Sequence, residues 1–276
     1  MRILVTNDDG IDSVGLHILA KAMQPFGEVV VIAPDSEYSG AGAAIGAIHL
    51  MRPEIHRVRL DGLHEAWTVS GPPALCVMFA RMGAFGPPFD LVVSGINPGA
   101  NVGRSVYHSG TVGACLTARS GGISGIAVSQ DVSIGSIEGQ AWDAMLSNQL
   151  WDTAAAVAAT VVESVVATPL VEPGVLNINV PNLPVDQIRG WKRTTLAAAP
   201  IRSMDLLELE PKIGHEDAYR VNLTWGDAVA LPIETDAGAV SAGYVSLTWL
   251  SRIHELDPHA DDAKIAESPL DAMLHA

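Results

Sequence analysis

The chain has 276 residues and a formal net charge of −15, from 16 basic and 31 acidic side chains. This surplus of acids argues against a protein that holds a nucleic-acid duplex by its phosphates, and 48% hydrophobic with 17% charged residues excludes a disordered chain. No apolar run reaches the roughly 20 residues that span a bilayer, and the start MRILVTNDDG lacks the layout of a signal peptide. We therefore expect a globular, cytoplasmic protein without a membrane partner.

Short β-branched runs alternate with helical stretches through the first part of the chain. Strands separated by helices indicate an α/β fold with a mostly parallel sheet that is covered by helices on both faces. In such sheets ligands bind beyond the carboxyl ends of the strands. The predicted strands are 2–6, 29–33, 91–94, 126–129 and 175–180, and the predicted helices are 16–23, 111–120 and 152–167.

Beyond Pro184 the pattern changes to short strands and many turns. We expect a single domain with a core over 1–184, a β-rich extension over 185–250 that forms hairpins or an oligomerisation arm, and an acidic tail over 251–276 that is a solvated helix or a frayed terminus. From Asp205 to the end there are 14 acidic and 4 basic side chains. Most of the negative charge therefore lies away from the predicted core.

Two adjacent carboxylates follow the first predicted strand, in the segment TNDDG at 6–10. Asp8 and Asp9 repel one another at this distance, which raises the pKa of carboxyl groups, and a divalent cation would offset that repulsion. The alternative is that Asp8 only caps the following turn and Asp9 faces water.

The next strand ends supply further polar groups to the same edge of the sheet. The second strand leads into a loop with Ser39 and Gly40, and the third leads into GINPGANVG at 95–103. Ser109 is placed as the N-cap of the helix over 111–120, whose free N–H groups would form an anion site. Hard oxygen ligands for Mg²⁺ or Mn²⁺ beside a phosphate cradle predict metal-assisted phosphoryl chemistry.

Other chemical signals are weak. The glycines at 40 and 42 begin a dinucleotide fingerprint, but Ile45 stands where its third glycine belongs, so an oxidoreductase is improbable. The chain has no G-x-S-x-G elbow and no P-loop lysine, and the spacing of His254 and His259 does not fit a zinc protease. Cys76 and Cys115 lie within apolar segments, which predicts buried free thiols.

Six segments of the chain resemble the SurE survival-protein nucleotidases. The resemblance implies a phosphatase of nucleoside 5′- and 3′-monophosphates that uses one divalent cation per subunit, Mg²⁺ or Mn²⁺. It also implies a Rossmann-like core and carboxy-terminal hairpin arms that are exchanged between the subunits of a homodimer or homotetramer. The segments, in the family's order, are MRILVTNDDG at 1–10, APDSEYSGAG at 33–42, LVVSGINPGANVG at 91–103, HSGTVGA at 108–114, LNINVPNLP at 176–184 and GYVSLT at 243–248.

The same resemblance assigns roles to individual residues. The implied metal ligands are Asp8, Asp9, Ser39 and Asn97. The implied catalytic residues are Asp8, Asp9, Asn101 and Ser109, with either aspartate as general base. The implied phosphate or substrate contacts are Asn7, Gly40, Asn101, His108, Ser109, Gly110 and Thr111.

The chain departs from the family pattern at several positions. Pro72 replaces a threonine and Leu75 an aspartate, and His108 stands where many members have tyrosine. None of the departures removes an implied metal ligand, so we predict a metal-dependent phosphomonoesterase acting on nucleoside monophosphates. The alternative is a metal- and nucleotide-binding protein that has lost turnover. The remaining departures are Gly46 for a hydroxyl residue, Thr117 and Ala118 for Glu-Gly, and Trp249 for a proline.

Overall fold

The computed structural model describes residues 1–46, 48–132, 146, 148–251, 265, 267–269 and 273. Within these residues, nine strands form the main sheet and two form a separate hairpin. The strands are β1 (Arg2–Thr6), β2 (Glu28–Pro34), β3 (Ile55–Val58), β4 (Glu65–Val69), β5 (Leu91–Pro98), β6 (Ser124–Gln130), β7 (Val175–Val180), β8 (Trp191–Arg193), β9 (Met204–Pro211), β10 (Tyr219–Trp225) and β11 (Val245–Leu250). The main sheet has the order β3-β4-β2-β1-β5-β6-β7-β11-β8.

Six adjacent strands, from β4 to β7 in the sheet order, run parallel. β3 pairs antiparallel with β4 at one end, and β11 pairs antiparallel with β7 at the other, with β8 parallel to β11. This is the mostly parallel, Rossmann-like sheet that the sequence predicts, so the predicted fold class is confirmed.

Helices cover both faces of the sheet. They are α1 (Val14–Met23), α2 (Ile48–Met51), α3 (Pro73–Arg81), α4 (Gly110–Ser120), α5 (Trp151–Ala167) and α6 (Asp236–Ser241). Every residue of β1 is buried, because alternate side chains enter opposite cores. Ile3 and Val5 pack in the core beneath α1 and α5, and Leu4 packs in the core beneath α3 and α4.

The predicted strands and helices lie where the sequence places them, with ends that differ by up to four residues. The pattern missed β3, β4 and α3. β3 is an exposed edge strand with the mixed sequence IHRV, and α3 is a short helix that is buried on most sides. Neither gives the alternation or the helical spacing on which sequence interpretation depends.

Two strands of the extension belong to the main sheet, and two form a separate hairpin. β8 and β11 join the sheet, while β9 and β10 form an antiparallel hairpin within the extension over 185–250. Most of the predicted acidic tail over 251–276 lies outside the described residues. Cys76 and Cys115 are buried free thiols, as predicted. In the described part of the chain, no helix combines the length and the hydropathy needed to cross a membrane.

Candidate active site

The carboxyl ends of three neighbouring strands carry the predicted site. β1 lies between β2 and β5, and the three strands are parallel, so the loops that follow them leave at one edge of the sheet. Asp8 and Asp9 follow β1, Ser39 follows β2, and Asn97 lies at the end of β5. The N–H of Tyr38 donates to the Asp8 carbonyl oxygen over 2.7 Å. The first two loops are therefore in direct contact.

Asp8 is a buried carboxylate with only 3% of its surface exposed. Its Oδ2 accepts the N–H of Gly110 over 3.0 Å, and its Oδ1 accepts the Thr111 hydroxyl over 2.5 Å. A Cβ at Gly110 would lie 2.8 Å from Oδ2, so only glycine lets the helix end approach the carboxylate this closely. Burial raises the pKa of Asp8, and these hydrogen bonds oppose that rise.

Asp9 is held differently from Asp8. Its Oδ2 is buried and has no hydrogen-bond partner among the described residues. Burial, the Asp8 charge and the Glu37 charge, in that order, raise the pKa of Asp9 from 3.8 to about 8. The turn after β1 is closed by Asn7 instead, whose Nδ2 donates to the Gly10 carbonyl over 3.0 Å. Asp8 therefore does not cap this turn, and Asp9 is partly exposed with one oxygen buried.

Ser39 and Asn97 flank the aspartates. The exposed Ser39 hydroxyl donates to Glu37 Oε1 over 2.9 Å, and Glu37 is the residue whose charge acts on Asp9. Asn97 donates through Nδ2 to the Gly99 carbonyl over 2.7 Å, while its Oδ1 lies 3.4 Å from the Thr111 hydroxyl. Thr111 thus joins Asn97 to Asp8.

The amino end of α4 contacts the same carboxylate. Ser109 is the N-cap, and its Oγ accepts the Val112 N–H over 3.1 Å. Gly110 already donates its N–H to Asp8, so the helix end does not present the full set of free N–H groups that the sequence suggests. A buried carboxylate needs such donors, because leaving it without them is costly.

Asn101 is fixed by a network of buried polar side chains. The Asn179 side chain makes two hydrogen bonds to the Asn101 backbone. Its Oδ1 accepts the Asn101 N–H over 2.7 Å, and its Nδ2 donates to the Asn101 carbonyl over 3.1 Å. Asn177 donates to the same carbonyl over 2.8 Å. Nδ2 of Asn101 donates to the Ser129 hydroxyl over 2.9 Å. Four contacts therefore hold the loop after β5 at this residue.

Sequence reasoning missed Glu37 and the residues that hold Asn101. Asn177 and Asn179 alternate within the fully buried strand β7. Buried amide side chains require hydrogen-bond partners, so this alternation was a usable signal for a polar network. No comparable local signal marks Glu37, which lies in an exposed turn.

The remaining predicted contacts lie at the rim. Gly40 and His108 are exposed. The His108 carbonyl accepts the Gly42 N–H over 2.9 Å, so the loop that carries Ser39 and Gly40 rests on the start of α4. The predicted residues after β1, β2 and β5 and at the start of α4 thus lie along one edge of the sheet.

The departures from the family pattern lie mainly in packing positions. Leu75 is fully buried in the core beneath α3 and α4, and Ala118 is buried in the same core. Thr117 donates to the Gly113 carbonyl over 2.8 Å. A cavity of about 960 Å³ beside the carboxyl half of α4 is lined by Thr117, Arg119 and Glu172 among others, and it includes none of the predicted site residues. The predicted site residues lie at the other end of this helix.

The donor set fits a small divalent cation. Asp9 has a buried oxygen without a partner among the described residues, and carboxylate, amide and hydroxyl oxygens are the ligands that Mg²⁺ and Mn²⁺ prefer. No group of three or more His, Cys, Asp or Glu side chains in the described ranges is arranged for a metal. A cation here would therefore depend on Asn97 and Ser39 as well as on the two aspartates.

Known proteins resemble this chain over most of its length. The family model described as Survival protein SurE matches residues 3–203. A 5′/3′-nucleotidase SurE of Erwinia tasmaniensis is 35% identical over 254 residues, covering 91% of this chain and 90% of the relative. A 5′-nucleotidase SurE of Legionella pneumophila (strain Corby) is 37% identical over 257 residues, with the same coverage.

A solved structure extends the match to the fold. The crystal structure of a SurE protein from Aquifex aeolicus has a TM-score of 0.74 and 28% sequence identity, and the match covers 98% of this chain and 100% of that one. A family match over most of the chain, relatives of similar length and a shared fold give one conclusion: the chain belongs to the SurE family.

Proposed function

We propose that this chain is a divalent-metal-dependent nucleotidase that hydrolyses nucleoside monophosphates to a nucleoside and phosphate. The observation that carries the proposal is the meeting of two adjacent carboxylates, Asp8 and Asp9, with Asn97 and the amino end of α4 at one sheet edge. The relatives named 5′/3′-nucleotidase and 5′-nucleotidase support the substrate class.

Asp8, Asp9, Asn97 and Ser39 would hold one cation per subunit, Mg²⁺ or Mn²⁺. When bound, such a cation polarises a phosphate oxygen and lowers the pKa of a water ligand. Asp8 is fixed through both carboxylate oxygens by Gly110 and Thr111, so its role is to be a rigid ligand. Asp9 is not fixed in this way, and its Oδ2 has no partner among the described residues, so Oδ2 would bind the cation and we assign the general-base role to the other carboxylate oxygen of Asp9.

Asn101 and Ser109 keep donors available for a phosphate. The Ser109 oxygen accepts the Val112 N–H, which leaves its hydroxyl hydrogen free to donate. Asn101 uses one Nδ2 hydrogen on Ser129 and retains the second. Together with the positive end of the α4 dipole, these donors would stabilise the negative charge of the transferring phosphoryl group. His108 and Gly40, which are exposed at the rim, would contact the rest of the nucleotide.

A second copy of the chain is the proposed partner of the hairpin. In the β9–β10 pair, Leu209 lies opposite Val221 and Pro211 opposite Tyr219, so these four share one face. Leu209, Tyr219 and Val221 are each more than half exposed. An apolar face on a projecting hairpin favours burial against another subunit, as expected for a homodimer or homotetramer.

Phosphate release tests the enzyme proposal directly. Purified protein is incubated with Mn²⁺ and either p-nitrophenyl phosphate or AMP, with and without EDTA, and phosphate is quantified. We expect release with Mn²⁺ and none with EDTA. Protein that binds Mn²⁺ but releases no phosphate from any monophosphate between about pH 6 and 9 would instead be the non-catalytic binding protein.

Asp9→Asn tests the metal assignment. The substitution removes one anionic ligand, so Mn²⁺ affinity and activity should fall together. The melting temperature without metal should stay the same or rise, because asparagine removes a carboxyl group whose ionisation is disfavoured by burial and by the charges of Asp8 and Glu37. The exposed Asp35→Asn, on the neighbouring loop, is the matched control and should keep both properties. Full activity of Asp9→Asn would remove Asp9 from the site.

A further inference from the structure

A fully buried carboxylate lies outside the proposed site. Asp236, the first residue of α6, is fully buried. Its Oδ2 accepts the Gly103 N–H over 2.8 Å, and its Oδ1 accepts the N–H groups of Ala197 and Ala237 over 2.9 and 2.8 Å. Three amide donors thus compensate one buried charge, and no described cation forms an ion pair with it.

One of these donors belongs to the loop that carries Asn101. Gly103 lies two residues after Asn101, has a φ of +53°, and would bring a Cβ to within 2.8 Å of the Ala197 carbonyl oxygen. The loop is therefore fixed at two points, at Asn101 by Asn177 and Asn179 and at Gly103 by Asp236. The first anchor comes from the core strand β7, and the second comes from the extension.

Asp236 also contacts the two chain segments that lead into and out of the hairpin. The chain leaves the sheet after Thr195 and returns at Thr235, where these two residues form a parallel bridge. Asp236 donates its N–H to the Thr195 carbonyl over 2.9 Å and accepts the Ala197 N–H. The segment 196–234, which contains β9 and β10, therefore begins and ends beside Asp236. The Asp236 side chain links both ends of this segment to the loop after β5.

We propose that Asp236 is a positioning residue of the active site, which acts through Gly103 to hold Asn101 where its amide reaches the phosphate. The extension then completes the site in addition to any role in assembly. The catalytic consequence rests on the nucleotidase function proposed above, whereas the structural link between Asp236 and the loop does not.

Asp236→Asn is the sharpest variant, because the side chain keeps its size. An asparagine can retain its oxygen toward Ala197 and Ala237, since the opposite orientation would lose two hydrogen bonds rather than one. Its amide NH₂ then faces the Gly103 N–H, so two donors meet and only the link to the site loop is broken. A displacement of this kind, remote from the reacting atoms, reduces rates by about tenfold to a hundredfold.

Thr235→Val is the matched control at the same helix end. The Thr235 hydroxyl caps α6 by accepting the Gly238 N–H over 3.2 Å and donates to the Pro232 carbonyl over 2.6 Å. Valine keeps the shape and removes both hydrogen bonds, so it loosens the helix end while the Asp236 carboxylate remains. A purely structural role of Asp236 predicts that both variants behave alike.

Five quantities are measured on wild type and both variants: melting temperature, Mn²⁺ affinity, hydrogen exchange of a peptide covering residues 99–105, and kcat and KM for AMP. For Asp236→Asn we expect faster exchange of that peptide, a kcat lower by about tenfold or more, and unchanged Mn²⁺ affinity. For Thr235→Val we expect a lower melting temperature with wild-type exchange and wild-type kcat.

Three results would overturn the inference. They are wild-type exchange of residues 99–105 in Asp236→Asn, wild-type kcat in that variant, and equal losses in both variants. If the wild-type protein has no phosphatase activity at all, the proposed function fails, and the exchange measurement still decides whether Asp236 holds the loop.

Discussion

Buried carboxylates in this protein are stabilised in different ways, and the differences separate their roles. Asp236 receives three N–H donors and Asp8 receives an N–H and a hydroxyl, which suits rigid positioning. Asp9 has a buried oxygen without a partner in the described residues, which suits a group that binds a cation. Asp131, at the end of β6, is a fourth case: burial raises its pKa from 3.8 to about 6.

The raised pKa of Asp131 predicts a pH-dependent stability. Between about pH 4 and 6 this carboxyl group releases its proton in the unfolded chain but keeps it in the folded protein. The contribution of Asp131 to the free energy of unfolding is therefore most favourable below about pH 4 and falls as the pH rises to 6. Asp131→Asn removes this cost. Because the side chain is only partly buried, we expect a gain of about 1–2 kcal/mol at pH 8 and none near pH 4, measured by urea unfolding at both pH values. An equal gain at both would show that the charge is not responsible.

Single residues also mark the limit of prediction from sequence. The adjacent aspartates and Ser109 stand at the ends of a predicted strand and a predicted helix, so their common edge could be inferred from the residues, whereas Asn97 was assigned only through the family resemblance. Asn179 and Asp236 could not be assigned, because their partners lie 78 and 133 residues away. Only the fold brings such groups together, and no local pattern encodes the distance.

At the level of secondary structure, α4 and the loop after β2 are in backbone contact. Gly113 lies inside α4, and a Cβ there would lie 2.6 Å from the Ala43 nitrogen and closer still to the Gly42 carbonyl. The helix can approach the loop that carries Ser39 only because this position has no side chain. The predicted sheet edge thus depends on a helix-to-loop contact that hydrophobic spacing does not report.

Gly113→Ala should therefore be destabilising, although alanine favours a helix by about 1 kcal/mol over glycine. We expect a loss of about 1–3 kcal/mol from the steric conflict, together with weaker Mn²⁺ binding as the Ser39 loop moves. Thermal unfolding and Mn²⁺ titration measure the two effects. Ser120→Ala, at the exposed end of the same helix, is the control and should change neither. A gain in stability for Gly113→Ala would contradict the close contact.

The elements that the sequence predicts are those with an unambiguous pattern. β1, β2, β5, β6 and β7 are buried runs rich in β-branched residues, and α5 is long and regular. β3 and β4 mix charged, aromatic and apolar residues, and they become strands because β2 offers a free edge on which β4 and then β3 can pair. Tertiary pairing thus determines these strands, in a way that local propensity does not.

For the whole molecule, the exposed apolar face of the hairpin predicts self-association. Val221→Lys places a charge in the centre of that face and should shift the protein to a smaller species in sedimentation or light scattering. Asn222→Lys is the matched control, because Asn222 lies on the opposite, polar face beside Glu208, and it should keep the wild-type mass. A wild-type protein that is monomeric at all concentrations would contradict the assembly proposal.

The direction of β11 determines which part of the extension lies at the ligand-binding edge of the sheet. In a purely parallel sheet, only segments that follow a strand reach the edge where ligands bind. β11 is antiparallel to β7, with Ser246 beside Asn179 and Leu250 beside Val175, so the segment before β11 arrives at that edge instead. The reversal of strand direction beside β7 thus brings the carboxylate of Asp236 to Gly103, in the loop after β5, which lies 133 positions earlier in the chain. A residue of the carboxy-terminal extension can therefore contact a loop of the amino-terminal core.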